Sequence, residues 1–435
     1  MAEPINRITI LVTAYAVNPF KGSENGMGWN FTRQLLRWYN VILLTRENNV
    51  PHVLDYIELN PQPEYDHLKV VGFDLPPEQR FWKKGEMLSL VYYYLWQRKI
   101  VPFIKRQKWS FSLVYNLNFH NDWTPSFLWK LGKPFIWGPI GHHPPIPYKT
   151  LGIPPSWKNR LAEWIKSCVK TYFWKYSNTL AQTLKHADYI LPMNSDVAKQ
   201  LSFEGKNYRI FPSVGFGGYK EETQLPVRPK NTFRILSVGR FVELKGFEVL
   251  IHSISAFKKL IPATEHTTIE VSLIGKGPLR DKLEKLIKEL GLSHMIRIHD
   301  WLPYEEVIRH YQHADVFFFP SFEGAGMVMA EAMAAKLPIL CWNNSGPGEL
   351  LGKANGIRIP YDTWNTSITR FAQALFDLYS RPSLRTSLGI RAKNRFDQHL
   401  EWNKKGEILH EIVEDILADH KVSTCNHILI SEKTN

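Results

Sequence analysis

Residues 233–260 read FRILSVGRFVELKGFEVLIHSISAFKKL. Phe233–Val238 is an apolar run of strand length, Gly239 permits a tight turn, and Phe247–Leu260 is a segment of helix length with recurring apolar positions. A strand that ends in a glycine turn and feeds a helix is the repeating unit of a parallel sheet with crossover helices. The alternation continues in both directions. Downstream lie candidate strands Ile269–Ile274, Ile296–His299, Val316–Pro320, Pro338–Trp342 and Ile357–Ile359, with helical segments such as Leu279–Leu290 and Trp364–Tyr379 between them. Upstream lie Ile8–Thr13, Val41–Thr45, Lys69–Phe73, Ser112–Leu117, Pro134–Trp137, Tyr189–Pro192 and Tyr208–Pro212, with a helix expected over Met27–Trp38.

Two such series predict an α/β protein of two doubly wound, Rossmann-like parallel-sheet domains facing each other across a cleft. A chain of 435 residues is too long for one ordinary core and suits two. The expected division is a first domain over 1–215, a linker over 216–230 rich in Gly and Pro, and a second domain over 231–398. Over 399–435 a last helix, Trp402–Asp419, has no sheet strand after it and can pack on either domain, crossing back to the first as one alternative, and a tail follows. One short echo joins the halves: His186-Ala187-Asp188 and His313-Ala314-Asp315 each lead into a strand that ends in Pro, at Pro192 and Pro320.

Ligands of open parallel sheets bind outside the carboxyl ends of the strands, so residues just after strands are the informative ones. Arg240 and Lys245 follow the strand Phe233–Val238. A forked guanidinium beside a point-charge ammonium, with Gly239 letting the backbone approach, suits a diphosphate. Glu323 follows Val316–Pro320 and precedes Gly324-Ala325-Gly326-Met327-Val328, where a helix begins. The free N–H groups of that helix start favour an anion. Glu331 lies inside the helix, in a run too apolar for an ordinary surface carboxylate. Both acids can accept bonds from sugar hydroxyls. Gly275-Lys276-Gly277 adds a third glycine turn at a strand end.

In the first half, Lys21-Gly22-Ser23-Glu24-Asn25-Gly26-Met27-Gly28 is a glycine-rich turn between a strand and a helix, without the spacing of a dinucleotide fingerprint or a phosphate-binding P-loop. His120 and Asp122 stand beyond the strand Ser112–Leu117, and His142-His143 beyond Pro134–Trp137. Adjacent histidines without further Cys, Asp or Glu spacing make a poor metal site, and none is expected.

Gly239-Arg240 with Lys245-Gly246, and Glu323 with Glu331 after seven intervening residues, resemble the donor-site signature of the retaining family 4 glycosyltransferases, which have the GT-B fold. The resemblance extends over Gly22-Ser23-Glu24, Pro125–Gly141 and Gly346-Pro347-Gly348-Glu349. It implies that Arg240 and Lys245 hold the donor diphosphate and neutralise the leaving group. It also implies that Glu323 contacts the transferred sugar and Glu331 the ribose. Backbone N–H groups of Gly324, Ala325, Gly326, Met327 and Val328, with Gly239, Gly277 and Gly22, would line the donor. No cofactor and no metal is implied; the nucleotide-sugar is a substrate. Many members have a His after the fourth strand; here either Asn116 or His120 takes that place, and His120 is the catalytic candidate. The implied activity is transfer of a sugar, from a UDP-sugar, to a lipid-linked or polysaccharide acceptor in cell-envelope glycan synthesis. A sugar-nucleotide epimerase, a phosphorylase or a non-catalytic glycan-binding protein are the competing expectations.

The formal net charge is +13. Residues 80–110 hold eight basic residues against Glu86, and residues 157–185 hold six against Glu163, both interleaved with aromatics. Such a composition suits an anionic membrane surface, the alternative being a solvated face with its rings turned inwards. Nucleic acid is not expected, because Glu323 and Glu331 repel phosphate backbones. No secretory signal is visible near Met1 and the three cysteines are scattered, so the expectation is a cytoplasmic protein, peripheral on the inner face of the plasma membrane.

Overall fold

The computed structural model describes residues 7–83, 88–118, 121–152, 157–219, 231–262, 264–265 and 267–431; the side chains of 158, 159, 162 and 421–431 are not described. Two units emerge. The first comprises 1–142, 164–213 and 402–435, and the second 143–163 and 214–401.

The first unit holds a seven-stranded sheet: β1 (Thr9–Thr13), β2 (Asn40–Thr45), β3 (Leu68–Gly72), β4 (Leu113–Asn116), β5 (Phe135–Ile140), β6 (Tyr189–Pro192) and β7 (Asn207–Tyr208). Their order is β3-β2-β1-β4-β5-β6-β7, and each pairing is parallel. Helices α1 (Ser23–Leu35), α2 (Val50–Leu59), α3 (Pro77–Arg80) and α4 (Ser89–Gln107) lie between its first four strands. In the second unit, α5 (Tyr148–Leu151) precedes the boundary helix α6 (Trp157–Tyr176). Helices α7 (Asn178–His186) and α8 (Ser195–Leu201) return to the first unit.

The second unit's six strands are β8 (Thr232–Val238), β9 (Thr268–Ile274), β10 (Ile296–His299), β11 (Val316–Phe319), β12 (Ile339–Trp342) and β13 (Ile357–Ile359). They run parallel in the order β10-β9-β8-β11-β12-β13. Helices α9 (Phe247–Lys258), α10 (Arg280–Glu289), α11 (Tyr304–His313), α12 (Met327–Ala334), α13 (Pro347–Leu351), α14 (Trp364–Ser380) and α15 (Pro382–His399) connect and follow them. The last helix, α16 (Trp402–Ser431), belongs to the first unit. The apolar strand runs are explained by burial on both faces: β11 and β12 are buried at every position.

The His-Ala-Asp echo has a structural cause. The Phe135 N–H donates to the Asp188 carboxylate at 2.7 Å, and the Asp188 N–H donates back to the Phe135 carbonyl at 2.9 Å. In the second unit Arg234 and Asp315 repeat both bonds, at 2.9 and 2.8 Å. Each clamp fixes the start of one strand beside the start of its neighbour, β5 beside β6 and β8 beside β11, and so sets register.

Three features differ from the sequence expectations. The helix placed at Met27–Trp38 begins at Ser23, so most of the glycine-rich turn is helix. Gly26 and Gly28 are glycine for packing, since a Cβ would collide with the Lys21 carbonyl at one and with the Ala16 carbonyl and Asn118 at the other. Next, 143–163 stand in the second unit, not in one piece with 1–142: Ile146 and Leu151 pack into its core, and the Tyr148 hydroxyl donates to Glu243 at 2.8 Å. Finally, Tyr92, Tyr93 and Trp96 of the basic stretch 80–110 are wholly buried, so those rings are core. The expected linker lies largely outside the described residues. No described helix is long and apolar enough to cross a membrane.

Candidate functional site

Sheet order reverses between β8 and β11, neighbours in space whose chains depart in opposite directions. A crevice forms beyond the strand ends at such a point. Both charged groups singled out from the sequence stand there. After β8 the chain turns through Gly239 and Arg240, makes one helical turn over Glu243–Lys245, and enters α9 through Gly246. Gly246 has φ +67°, and a Cβ there would collide with the Pro320 carbonyl at the end of the β11 turn. Only glycine lets the two strand-end turns meet in this way.

That meeting brings Lys245 to Glu323. The ammonium donates to both carboxylate oxygens, at 2.7 and 2.6 Å, with 16% of each side chain exposed. The Lys245 stem crosses Gly239, where a Cβ would lie 3.4 Å from Cδ, and its Nζ sits 5.1 Å from the centre of the Phe319 ring. Arg240 is exposed beside this pair. Burial pushes the Glu323 carboxyl up, while Lys245, Ser321 and Arg240 pull it back. The Glu323 turn is buttressed from β12: Trp342 Nε1 donates to the Pro320 carbonyl at 2.9 Å, and the Asn344 amide donates to the Ser321 carbonyl at 3.0 Å. Gly346 packs directly on the Glu323 backbone, with no room for a Cβ.

Helix α12 starts at Met327 behind Gly326, whose extended backbone provides no side-chain cap. The first-turn N–H groups at Met327 and Val328 thus open towards the Gly324-Ala325-Gly326 turn, where the helix dipole favours an anion. Further along, Glu331 is enclosed by tyrosines. The Tyr219 hydroxyl donates to the Glu331 backbone carbonyl at 2.8 Å, and a Tyr311 hydroxyl bond steadies its carboxylate. Burial pushes the Glu331 carboxyl up, and the Tyr311 bond opposes this. Its charge helps to raise Tyr219 and Tyr304 in turn, beyond the effect of their burial. Gly277 lies on the β9 side, where a Cβ would meet the Phe241 backbone at 2.6 Å; this glycine is needed for packing as well as for approach.

The first unit has its own switch point, between β1 and β4. Gly22 is the residue before α1, and a Cβ there would meet nothing within 4 Å. Asn116 is wholly buried and donates to the Thr13 hydroxyl at 2.9 Å, tying β4 to β1. Its Oδ1 is buried without a hydrogen-bond partner. His120 lies outside the described residues. A pairing that the sequence did not reveal stands just beyond β4 and β5: His142 Nδ1 is 2.8 Å from Asp122 Oδ2, and Asp122 is 1% exposed. The Asp122 N–H donates to the Gly141 carbonyl at 3.0 Å, and the His142 ring stacks at 6.3 Å on Trp174. A buried carboxylate on Nδ1 orients the ring and leaves Nε2 as the outward nitrogen. The signal was positional, since both residues follow strand ends. Among the described residues no cluster of three metal-ligating side chains exists.

Residues 219–395 match the family model described as glycosyl transferases group 1. The second unit carries a group 1 glycosyltransferase domain. Arg240, Lys245, Glu323 and Glu331 all fall within it. A curated relative is the GDP-mannose-dependent alpha-(1-6)-phosphatidylinositol monomannoside mannosyltransferase of Mycolicibacterium smegmatis, 24% identical over 188 residues, or 41% of this chain and 47% of that one. The chain spans about half the length of the curated relatives it matches. Among solved structures, sucrose-phosphate synthase from Thermosynechococcus elongatus is similar over 95% of this chain and 100% of its own, with a TM-score of 0.65 at 18% identity. Anabaena HepE in complex with UDP is similar over 94% and 100%, with a TM-score of 0.58 at 14% identity. Likeness over nearly the whole chain, with two parallel-sheet units, shows the GT-B fold beyond the group 1 domain itself.

Proposed function

We propose that the chain is a retaining glycosyltransferase that moves a sugar from a UDP-sugar to a lipid-linked or polysaccharide acceptor, in cell-envelope glycan synthesis on the cytoplasmic face of a membrane. The observation that carries this reading is the Lys245–Glu323 pair beside Arg240, at the switch point of the group 1 domain. Lys245 and Arg240 hold the diphosphate and stabilise the charge that develops as it departs; the N-terminus of α12 adds N–H groups to the same anion. Glu323 takes sugar hydroxyls once the diphosphate claims Lys245, and Glu331 takes the ribose. No metal or cofactor is required, because cations and a helix end do the electrostatic work. The UDP bound to HepE and the lipid named in the mycobacterial relative support the donor and acceptor classes. The competing base is the GDP named for that relative.

The test is hydrolysis and transfer across a panel of UDP- and GDP-sugars, with heat stability measured beside it. UDP should raise the melting temperature, and a UDP-sugar should be consumed without added metal. A donor altered with no acceptor present would make the chain an epimerase instead. Absence of stabilisation by either nucleotide would end the reading.

A further inference from the structure

Helix α6 is the most exposed apolar element of the described chain. Trp157, Trp164 and Tyr176 are 70%, 65% and 72% exposed, and Leu161, Ile165 and Tyr172 are each exposed by half or more. These side chains are not scattered. At 3.6 residues per turn they fall within an arc of roughly 120° on a rod about 30 Å long. The opposite side faces the protein: Phe173 packs on Tyr94 and Trp123, and Trp174 stacks on His142. A largely apolar stripe of this kind, broken by Lys175 near its C-terminal end, marks an interaction surface.

Charge decides what covers it. The helix carries Lys158, Arg160, Lys166, Lys170 and Lys175 against Glu163 alone. By the same helical period, Arg160 lies beside one edge of the stripe and Lys175 within it, whereas Lys166, Lys170 and the acid Glu163 fall on the side of Phe173 and Trp174. A second copy of the chain would set the cations of this face against their own copies across a two-fold axis. An anionic leaflet offers headgroup phosphates to the cations and the acyl boundary to the stripe, with Trp and Tyr at the depth they favour.

The geometry points to α6 as an interfacial helix that lies in the plane of an anionic bilayer and seats the chain beside a membrane-borne acceptor. This inference deepens the glycosyltransferase reading and rests on it for the acceptor. The link is Trp174. The side of α6 opposite the stripe touches His142, the outer member of the pair with Asp122 at the ends of β4 and β5. A leaflet under the stripe therefore has the strand-end pair on the far side of one helix. Of the two acceptor classes, the lipid-linked one follows.

The test is co-sedimentation with phosphatidylcholine vesicles, with and without phosphatidylglycerol, for the wild type, Ile165→Asp and Trp164→Ser. Brominated lipids report tryptophan depth. The wild type should sediment with phosphatidylglycerol vesicles, and its fluorescence should be quenched by brominated lipid. Ile165→Asp should lower the partition coefficient at least tenfold, and Trp164→Ser should remove much of the quenching. Both variants should keep the wild-type heat-stability gain with UDP, which separates a failure of docking from a failure of the donor reading. Three results would overturn the proposal: no wild-type binding to anionic vesicles, unchanged binding of both variants, or a solution dimer that Ile165→Asp dissociates.

Discussion

Lys245 grips Glu323 through both carboxylate oxygens, at 2.7 and 2.6 Å, and so joins the turn after β8 to the turn after β11. The pair holds a cation and an anion in place without a ligand, and a diphosphate must share or displace the carboxylate. Removing one partner strands the other at a half-sealed site. Lys245→Ala should weaken UDP binding by about 10- to 100-fold, the loss of one charge-assisted bond of about 1.5–3 kcal/mol. Glu323→Gln should spare UDP binding or tighten it, by freeing the ammonium, yet lower transfer of the sugar. Calorimetry with UDP checks both. Equal weakening in the two variants would mean that Glu323 orders the site rather than contacting the sugar.

Glu331 gives a pH signature. Burial raises its carboxyl, so from about 4.3, the ordinary Glu value, up to the raised native value the folded chain binds more protons than the unfolded chain. Stability therefore falls as pH rises through that window. Glu331→Gln removes this component. The difference in melting temperature between variant and wild type should grow in the variant's favour as pH climbs from about 4 towards neutrality. A difference that stays flat with pH would show that Glu331 is not held in this way.

The strands, and the candidate residues beyond their ends, were legible because β8, β11 and their neighbours are short apolar runs with glycine or charge within a few residues of their ends. The His-Ala-Asp echo was visible too, though only coordinates show Asp188 and Asp315 closing the same two-way clamp. What stayed hidden had identifiable causes. Gly26 and Gly28 look like turn residues, because nothing in the local sequence says that Ala16 and Lys21 crowd them. Asp122 and His142 are 20 positions apart, and only the pairing of β4 with β5 brings them together. Basic charge beside aromatics read the same in 80–110 and 157–185, yet the first stretch buries Tyr92, Tyr93 and Trp96 while the second exposes Trp157 and Trp164. Composition does not state which face is turned outwards.

The Asp122–His142 pair should behave as one unit. If Asp122 orients the ring, Asp122→Asn and His142→Ala should lower transfer by similar factors, and the double variant should be little worse than either. UDP binding should be unchanged in all three. Additive losses would show two independent residues.

Gly22 allows a substitution that is silent in the fold. Its φ of −81° suits any residue, and a Cβ would meet nothing within 4 Å. Gly22→Ala should therefore leave the melting temperature within about 1 °C, since no strain mechanism acts there. Any loss of donor affinity would then report on a ligand approaching that backbone. Gly246→Ala is the contrast: with φ +67° and the Pro320 carbonyl in the way, it should cost about 1–3 kcal/mol of stability. Unchanged affinity for UDP-sugar in Gly22→Ala would remove Gly22 from the donor site.

Lys405 is the group whose burial should be most visible in solution. It is wholly buried on α16, donates to the Pro212 carbonyl at 2.6 Å, and lies 4.0 Å from the centre of the Phe211 ring, with Phe31 and Trp402 also near. Burial pushes its ammonium down to about 7. The unfolded chain holds this proton up to about 10.4. Between these values the unfolded state binds the extra proton, so stability rises with pH, by at most about 1.4 kcal/mol per unit. Below about 7 both states are charged and the cost of burying the cation is fully present. The aromatic rings and the Pro212 carbonyl favour the ammonium and act against the shift, so the slope is expected in the upper part of the window. Lys405→Met fills the same cage without a charge and leaves the Pro212 carbonyl without this donor. Denaturant melts at pH 6, 8 and 9.5, values chosen to bracket the window at about 7 to 10, should show the wild type gaining on the Met variant as pH rises. A parallel pH course in the two proteins would mean that Lys405 keeps its charge, held by the rings and the carbonyl, throughout.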